Sequence, residues 1–198
     1  MASLSAMILS ITQQLPEGEV VAPGRFLHLG SRSAVQRGLS GLVVDEKLVR
    51  VARGFYAATV ESRFGRRAPA PDRVVRSLAN ALGEVIVENG ARSANKLGLT
   101  TQVPVRYCFL STGRSRELQI GRIVVSIQHA PSWMMTLGAT GAGDAVRALA
   151  WLGPLWAAGA LSKLHAQLPE HEWLMMVSAL DTFPAWIGNA IRVYIGSQ

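Results

Sequence analysis

The chain has 198 residues, 49% of them apolar and 17% charged, with a formal charge of +7. That content suits one large packed domain or two small ones and excludes a disordered tail. No apolar run approaches the ~20 residues of a membrane span, and the lone Cys108 excludes an internal disulfide framework and fits a reducing cytoplasm.

Charge location says more than the total. Residues 1–70 carry a net +4, residues 91–127 a net +5 and residues 128–198 a net −1. Arginine outnumbers lysine 17 to 3, and its planar fork suits phosphate oxygens and guanine edges. An arginine-rich proteome would give the same composition, so the clustering is what points to an anionic partner.

Taken in order, Leu4, Met7, Ile8, Ile11 and Leu15 recur at helical spacing and predict an amphipathic helix over about residues 3–14. Met7-Ile8-Leu9 has no basic stretch before it and does not read as a signal peptide. Pro16-Glu17-Gly18 breaks the helix. Glu19-Val20-Val21 predicts a short strand, and Pro23 opens a second helix through Leu29 that buries Phe26, Leu27 and Leu29.

Gly30 ends that helix, and Ser31 or Ser33 caps a third. Ser33 with Gln36 has the spacing of a capping box, which competes with a DNA role for Gln36. In the third helix Val35, Leu39, Leu42 and Val43 fall on one side. Ser33, Arg37 and Ser40 fall on the other, with Arg32 at the leading end. Leu48–Val51 and Phe55–Thr59 are β-prone around an Arg53-Gly54 turn. Helix, short strand, helix, helix and hairpin is the order of a winged helix-turn-helix. The residues expected to touch double-stranded DNA are Arg32, Ser33, Gln36, Arg37, Ser40, Arg50 and Arg53.

Glu61-Ser62-Arg63-Phe64-Gly65-Arg66-Arg67-Ala68-Pro69-Ala70-Pro71 mixes charge, glycine and proline and reads as a domain boundary. The expected division is a winged helix-turn-helix domain over 1–62, a linker over 63–71 and a C-terminal α+β domain over 72–198. Val74, Val75, Leu78, Leu82, Val85 and Ile86 predict one helix stopping at Gly90, followed by a short helix over Ala91–Leu99. Val103–Ser111 and Glu117–Gln128 predict strands of a small antiparallel sheet with turns at Thr112-Gly113-Arg114 and Gly121. After Pro131 four apolar stripes predict a helical bundle: Ala145–Leu152, Leu155–Leu168, Trp173–Leu180 and Trp186–Tyr194. All five tryptophans lie in this part, most of them expected in its core and one or two at a protein interface.

Catalytic spacing is missing. Gly138-Ala139-Thr140-Gly141-Ala142-Gly143 imitates a phosphate-binding loop, but Asp144 and Ala145 stand where lysine and serine or threonine are needed. His28, His129, His165 and His171 form no ligand pair, and Cys108 has no C-x-x-C partner. Glu84 and Glu88 read as a solvated helix pair, and Ser162 with His165 lacks an orienting acid. Neither enzyme activity, metal nor cofactor is expected.

Longer stretches carry a likeness. Pro16-x-Gly18-x-Val20, Phe26-Leu27-x-Leu29-Gly30-Ser31-Arg32-x-Ala34-Val35 and Val51-Ala52-Arg53-Gly54-x-Tyr56 resemble the AbiEi-type antitoxin and transcriptional-regulator family of type IV toxin–antitoxin systems. So do Asn95-x-Leu97-Gly98-Leu99-x-Thr101-Gln102-x-Pro104, Ala148-Leu149-x-Trp151-Leu152-Gly153 and Pro184-Ala185-Trp186-Ile187. The resemblance implies a winged helix that represses its own operon and a C-terminal domain that counteracts a nucleotidyltransferase-like toxin. The alternatives are an orphan winged-helix regulator, a protein-binding module with no toxin partner, or a nuclease or transferase using the basic sheet at 91–127.

Overall fold

The computed structural model describes residues 3–63 and 65–197; Phe64, quoted in the expected linker, lies outside the described residues. The fold is α+β with small antiparallel sheets. Among the described residues two compact units form, one from the chain up to Glu84 together with Glu117–Ser126, the other from Val85–Arg116 and Ile127 onward.

In the first unit, helix α1 (Leu4–Gln13) starts where Ser3 accepts from the Ala6 amide. The chain then turns at Gly18, whose φ of +84° suits glycine. Strand β1 (Val20–Val21) follows, then a 3-10 turn (Pro23–Phe26), helix α2 (Arg32–Val44) and strands β2 (Leu48–Ala52) and β3 (Phe55–Ala58). The sheet order is β1-β3-β2, antiparallel throughout, with Val21 opposite Tyr56 and Arg50 opposite Tyr56. Ile8, Val21, Phe26, Val35, Leu39, Leu42, Leu48 and Tyr56 form the core. The apolar stripe of α2 is therefore where its periodicity put it. The expected second helix is only a 3-10 turn: Phe26 is buried, but Leu27 is 48% exposed. Its start has no side-chain cap at Ala22, and four residues give it no full stripe to bury.

The stretch expected to be a linker contains a hairpin, β4 (Val60–Ser62) paired with β5 (Gly65–Arg67). Helix α3 (Pro71–Leu82) follows and buries Val74, Val75 and Leu78. The Ser77 hydroxyl accepts from the Val20 amide at 2.9 Å, and Glu17 accepts from Arg67 and Arg73 at 2.8 and 3.0 Å. These bonds make α3 part of the first unit, whereas the sequence reading began the C-terminal domain at residue 72. That helix also ends earlier than expected. Gly83 takes the left-handed conformation, and the β-branched pair Ile86-Val87 leaves it for strand β6 (Ile86–Glu88). Glu84 and Glu88 consequently do not share a helix face.

In the second unit β6 pairs with β7 (Tyr107–Ser111), Val87 opposite Leu110. Between them runs helix α4 (Gly90–Lys96), capped by the Asn89 side chain. Strands β8 (Arg116–Ile120) and β9 (Ile123–His129), most of whose residues group with the first unit, turn about Gly121 at φ +63°, and the strand order is β6-β7-β9-β8. The strand expected from Val103 begins only at Tyr107. Helices α5 (Ser132–Met135), α6 (Gly141–Leu152), α7 (Ala157–Gln167), α8 (Glu170–Ser178) and α9 (Ala185–Gly196) complete the chain, with 3-10 turns at Pro154–Trp156 and Leu180–Thr182. Their core holds Val146, Leu149, Leu161, Leu164, Trp173, Met176, Ile187 and Ile191. Leu155 and Ala158, expected inward, are exposed, because the 3-10 turn after Gly153 resets the helical phase. No helix of the described residues is long and apolar enough to cross a membrane.

Candidate nucleic-acid interface

The apolar side of α2 is fixed by the core, so its other residues must face outward. Arg32, Ser33, Gln36, Arg37 and Ser40 are all exposed. Arg50 and Arg53 are exposed on the β2–β3 hairpin, whose turn is made by Gly54 at φ +80°. The structure does not bring all seven side chains to one place. Arg32, Gln36, Arg50 and Arg53 line a cleft of about 530 Å³ together with Pro23, Gly24, Leu27, Gly54 and Tyr56. Ser33, Arg37 and Ser40 lie outside it, on the neighbouring stripe of α2.

Two of these residues have structural partners. The expected Ser33–Gln36 capping box does not form. Ser31 is the N-cap and accepts from the Ala34 amide at 3.3 Å, which starts the helix at Arg32 and moves Ser33 inside it. The Ser33 hydroxyl instead meets that of Ser31 at 3.2 Å. Gln36 donates its side-chain amide to the Tyr56 hydroxyl at 3.0 Å. Tyr56 is 2% exposed, and a buried phenol needs such a partner. Gln36 thereby ties α2 to β3. The signal was present in the sequence, a tyrosine at an inward strand position, but its partner stands 20 residues away. Leu27 was missed as a cleft residue because its helix was expected to bury it.

Arg66, Arg67, Arg73, Arg147 and Arg192 all pair with carboxylates. Arg32, Arg37, Arg50 and Arg53 have no ion pair or side-chain hydrogen bond with any described residue. Acidic residues near α2 sit at its other end, Asp45 as C-cap and Glu46 beside it. Positive side chains and the positive end of the helix dipole therefore coincide at the Arg32 end.

The second unit uses its conspicuous polar residues to hold itself together. Asp144 is 4% exposed and accepts from Ser93 at 3.0 Å, Arg147 at 2.8 Å and Lys96 at 2.7 Å. Burial alone would raise its carboxyl, but the hydrogen bonds from Lys96 and Arg147 outweigh that and hold it below its ordinary value. The same bond to Asp144 raises Lys96 above its own. Arg147 further donates to the Met134 and Gly138 carbonyls at 3.1 and 3.0 Å. At the start of α6 the Ala142 amide donates to Glu172 and the Gly143 amide to Thr140. These amides are satisfied from within the chain. Asn95 clamps the following loop through the Thr100 and Gln102 carbonyls.

His165 stacks on Trp173 at 4.4 Å and meets the Tyr194 hydroxyl at 3.2 Å, and His129 meets the Gly113 carbonyl at 2.9 Å. Among the described residues no group of three or more His, Cys, Asp or Glu side chains could hold a metal ion. Trp151, Leu155 and Trp156 are 43%, 93% and 69% exposed around the end of α6.

Compared with known proteins, residues 7–154 match DUF6088, described as a family of unknown function. The chain matches no curated protein and no solved structure.

Proposed function

The chain belongs to DUF6088, and from the site itself we propose that it is a DNA-binding autorepressor without catalysis, acting as an antitoxin. In this reading α1, the 3-10 turn and α2 form a helix-turn-helix, and β2–β3 is its wing. The observation that carries it is the set of four arginines on α2 and the hairpin with no carboxylate partner among the described residues. Left uncompensated, such charge repels itself; phosphates relieve it and release counterions on binding.

α2 enters the major groove with its Arg32 end leading, because the opposite end carries Asp45 and Glu46. Arg37, flanked by Ser33 and Ser40, reads base edges. Arg32, Arg50 and Arg53 neutralise phosphates and set the register. Three phosphate contacts give a slope of about −3 in log K against log salt. Fluorescence anisotropy with the upstream promoter of its own gene, over a salt series, tests this. Salt-independent or absent binding would remove the reading.

The antitoxin half rests on the resemblance to AbiEi-type regulators. The exposed Trp151, Leu155 and Trp156 favour a protein-binding role for the second unit, since exposed tryptophans are enriched at protein interfaces. Co-purification with an adjacently encoded nucleotidyltransferase-like protein, lost in Trp156→Ala/Leu155→Ala, is the expected result. An adjacent frame that neither binds nor is counteracted would leave a regulator without a toxin.

A further inference from the structure

The cleft is larger than a DNA phosphate requires. At about 530 Å³ it falls within the range of small-molecule sites. Three guanidiniums line it, from Arg32, Arg50 and Arg53, and neither Asp nor Glu does. Much of the remaining lining is apolar, with Pro23 and the half-exposed Leu27. Side chains do not crowd it at Gly24 or Gly54, where an added Cβ would meet nothing within 4 Å. A molecule with clustered negative charge at one end and a flat apolar body at the other satisfies both parts of the lining.

We propose that this cleft binds a soluble nucleoside polyphosphate, with its phosphates on Arg32, Arg50 and Arg53 and its base against Pro23 and Leu27. The ligand displaces DNA, because both need the same guanidiniums, and each lowers the other's affinity by the same factor. That antagonism rests on the DNA-binding reading above; occupancy of the cleft does not.

Magnesium-free ATP is the probe, titrated calorimetrically into the full chain beside inorganic tripolyphosphate. ATP should bind saturably and more tightly than tripolyphosphate. Arg50→Ala/Arg53→Ala should weaken ATP at least about tenfold through the lost charge-assisted bonds. Arg76→Ala/Arg122→Ala, which removes the same charge at exposed positions outside the cleft, should change it less than about twofold. Thermal melts establish that both variants fold. Equal losses in the two double variants would overturn the cleft as the site, and equal affinity for ATP and tripolyphosphate would overturn the base contact. Salt-dependent promoter binding with no ATP binding overturns the inference and leaves the DNA reading standing. ATP binding with no DNA binding leaves the cleft site and overturns the repressor. Simultaneous, non-competing binding overturns the antagonism.

Discussion

Arg37 and Arg53 are both exposed and without a carboxylate partner among the described residues, yet their removal should read out differently. On the proposed DNA-binding reading, Arg37→Ala should cost ~1–3 kcal/mol on the promoter and relax sequence preference, because Arg37 is there assigned to a base edge. Arg53→Ala should weaken all duplexes about equally and flatten the salt slope by about 1. Competition binding with scrambled duplexes separates the two, and matching behaviour would deny Arg37 its base contact. Gln36 belongs to neither class. Its bond to Tyr56 makes it a positioning residue, so Gln36→Ala should lower DNA affinity without changing preference and destabilise the unit by about 1 kcal/mol. A shift in base preference on that change would restore Gln36 as a reader. The outward face of α2 was legible because 3.6-residue spacing assigns Val35, Leu39 and Leu42 to the core and leaves the rest outside. What Gln36 does there was not legible, since the capping box and the Tyr56 bond compete for the same side chain and only the fold decides.

At the scale of elements, α4 and α6 approach closely in the second unit. A Cβ added at Gly90 would meet Trp151 Cβ at 2.6 Å and also the Arg147 carbonyl oxygen. Backbone stands on one side of that contact, so it cannot be relieved by a rotamer change. Gly90→Ala should therefore destabilise the unit by ~1–3 kcal/mol, measured by denaturant midpoint at unchanged m-value. A neutral result would mean that the helices separate without cost. Sequence reading took Gly90 as a helix stop; its use as a contact surface needed a partner more than fifty residues away. The same limit explains β6. Val85 and Ile86 continue the spacing of α3, and only pairing with β7 shows that the chain has changed its period from 3.6 to 2.

For the whole molecule, the described residues of each unit include a depressed carboxylate. The hydrogen bond from Arg67 holds Glu17 below its ordinary range, opposed by burial, as Lys96 and Arg147 do for Asp144. A lowered folded value stabilises above the unfolded one and is lost as pH falls through the lowered value. Thermal stability should accordingly be flat near neutrality and fall below about pH 4. Glu17→Gln should be less stable at pH 7 and show a shallower acid decline, as followed by scanning calorimetry. An unchanged decline would mean that Glu17 contributes nothing to acid sensitivity. The clustering of positive charge was legible at this scale too, because Arg25, Arg32 and Arg37 follow one another with no acid between them until Asp45. The division of the chain was not: proline and glycine at 65–71 suggest a linker, while Glu17 and Ser77 fasten the segments on either side into one unit.

One consequence concerns how the two units can be watched separately. Trp133, Trp151, Trp156, Trp173 and Trp186 all belong to the second unit, and none lies among residues of the first. Excitation at the red edge of indole absorption thus makes the first unit optically dark. Tryptophan emission therefore reports on the second unit, while far-ultraviolet circular dichroism reports on both. Coincident curves from the two signals would mark a single cooperative transition; separated curves would give each unit its own stability.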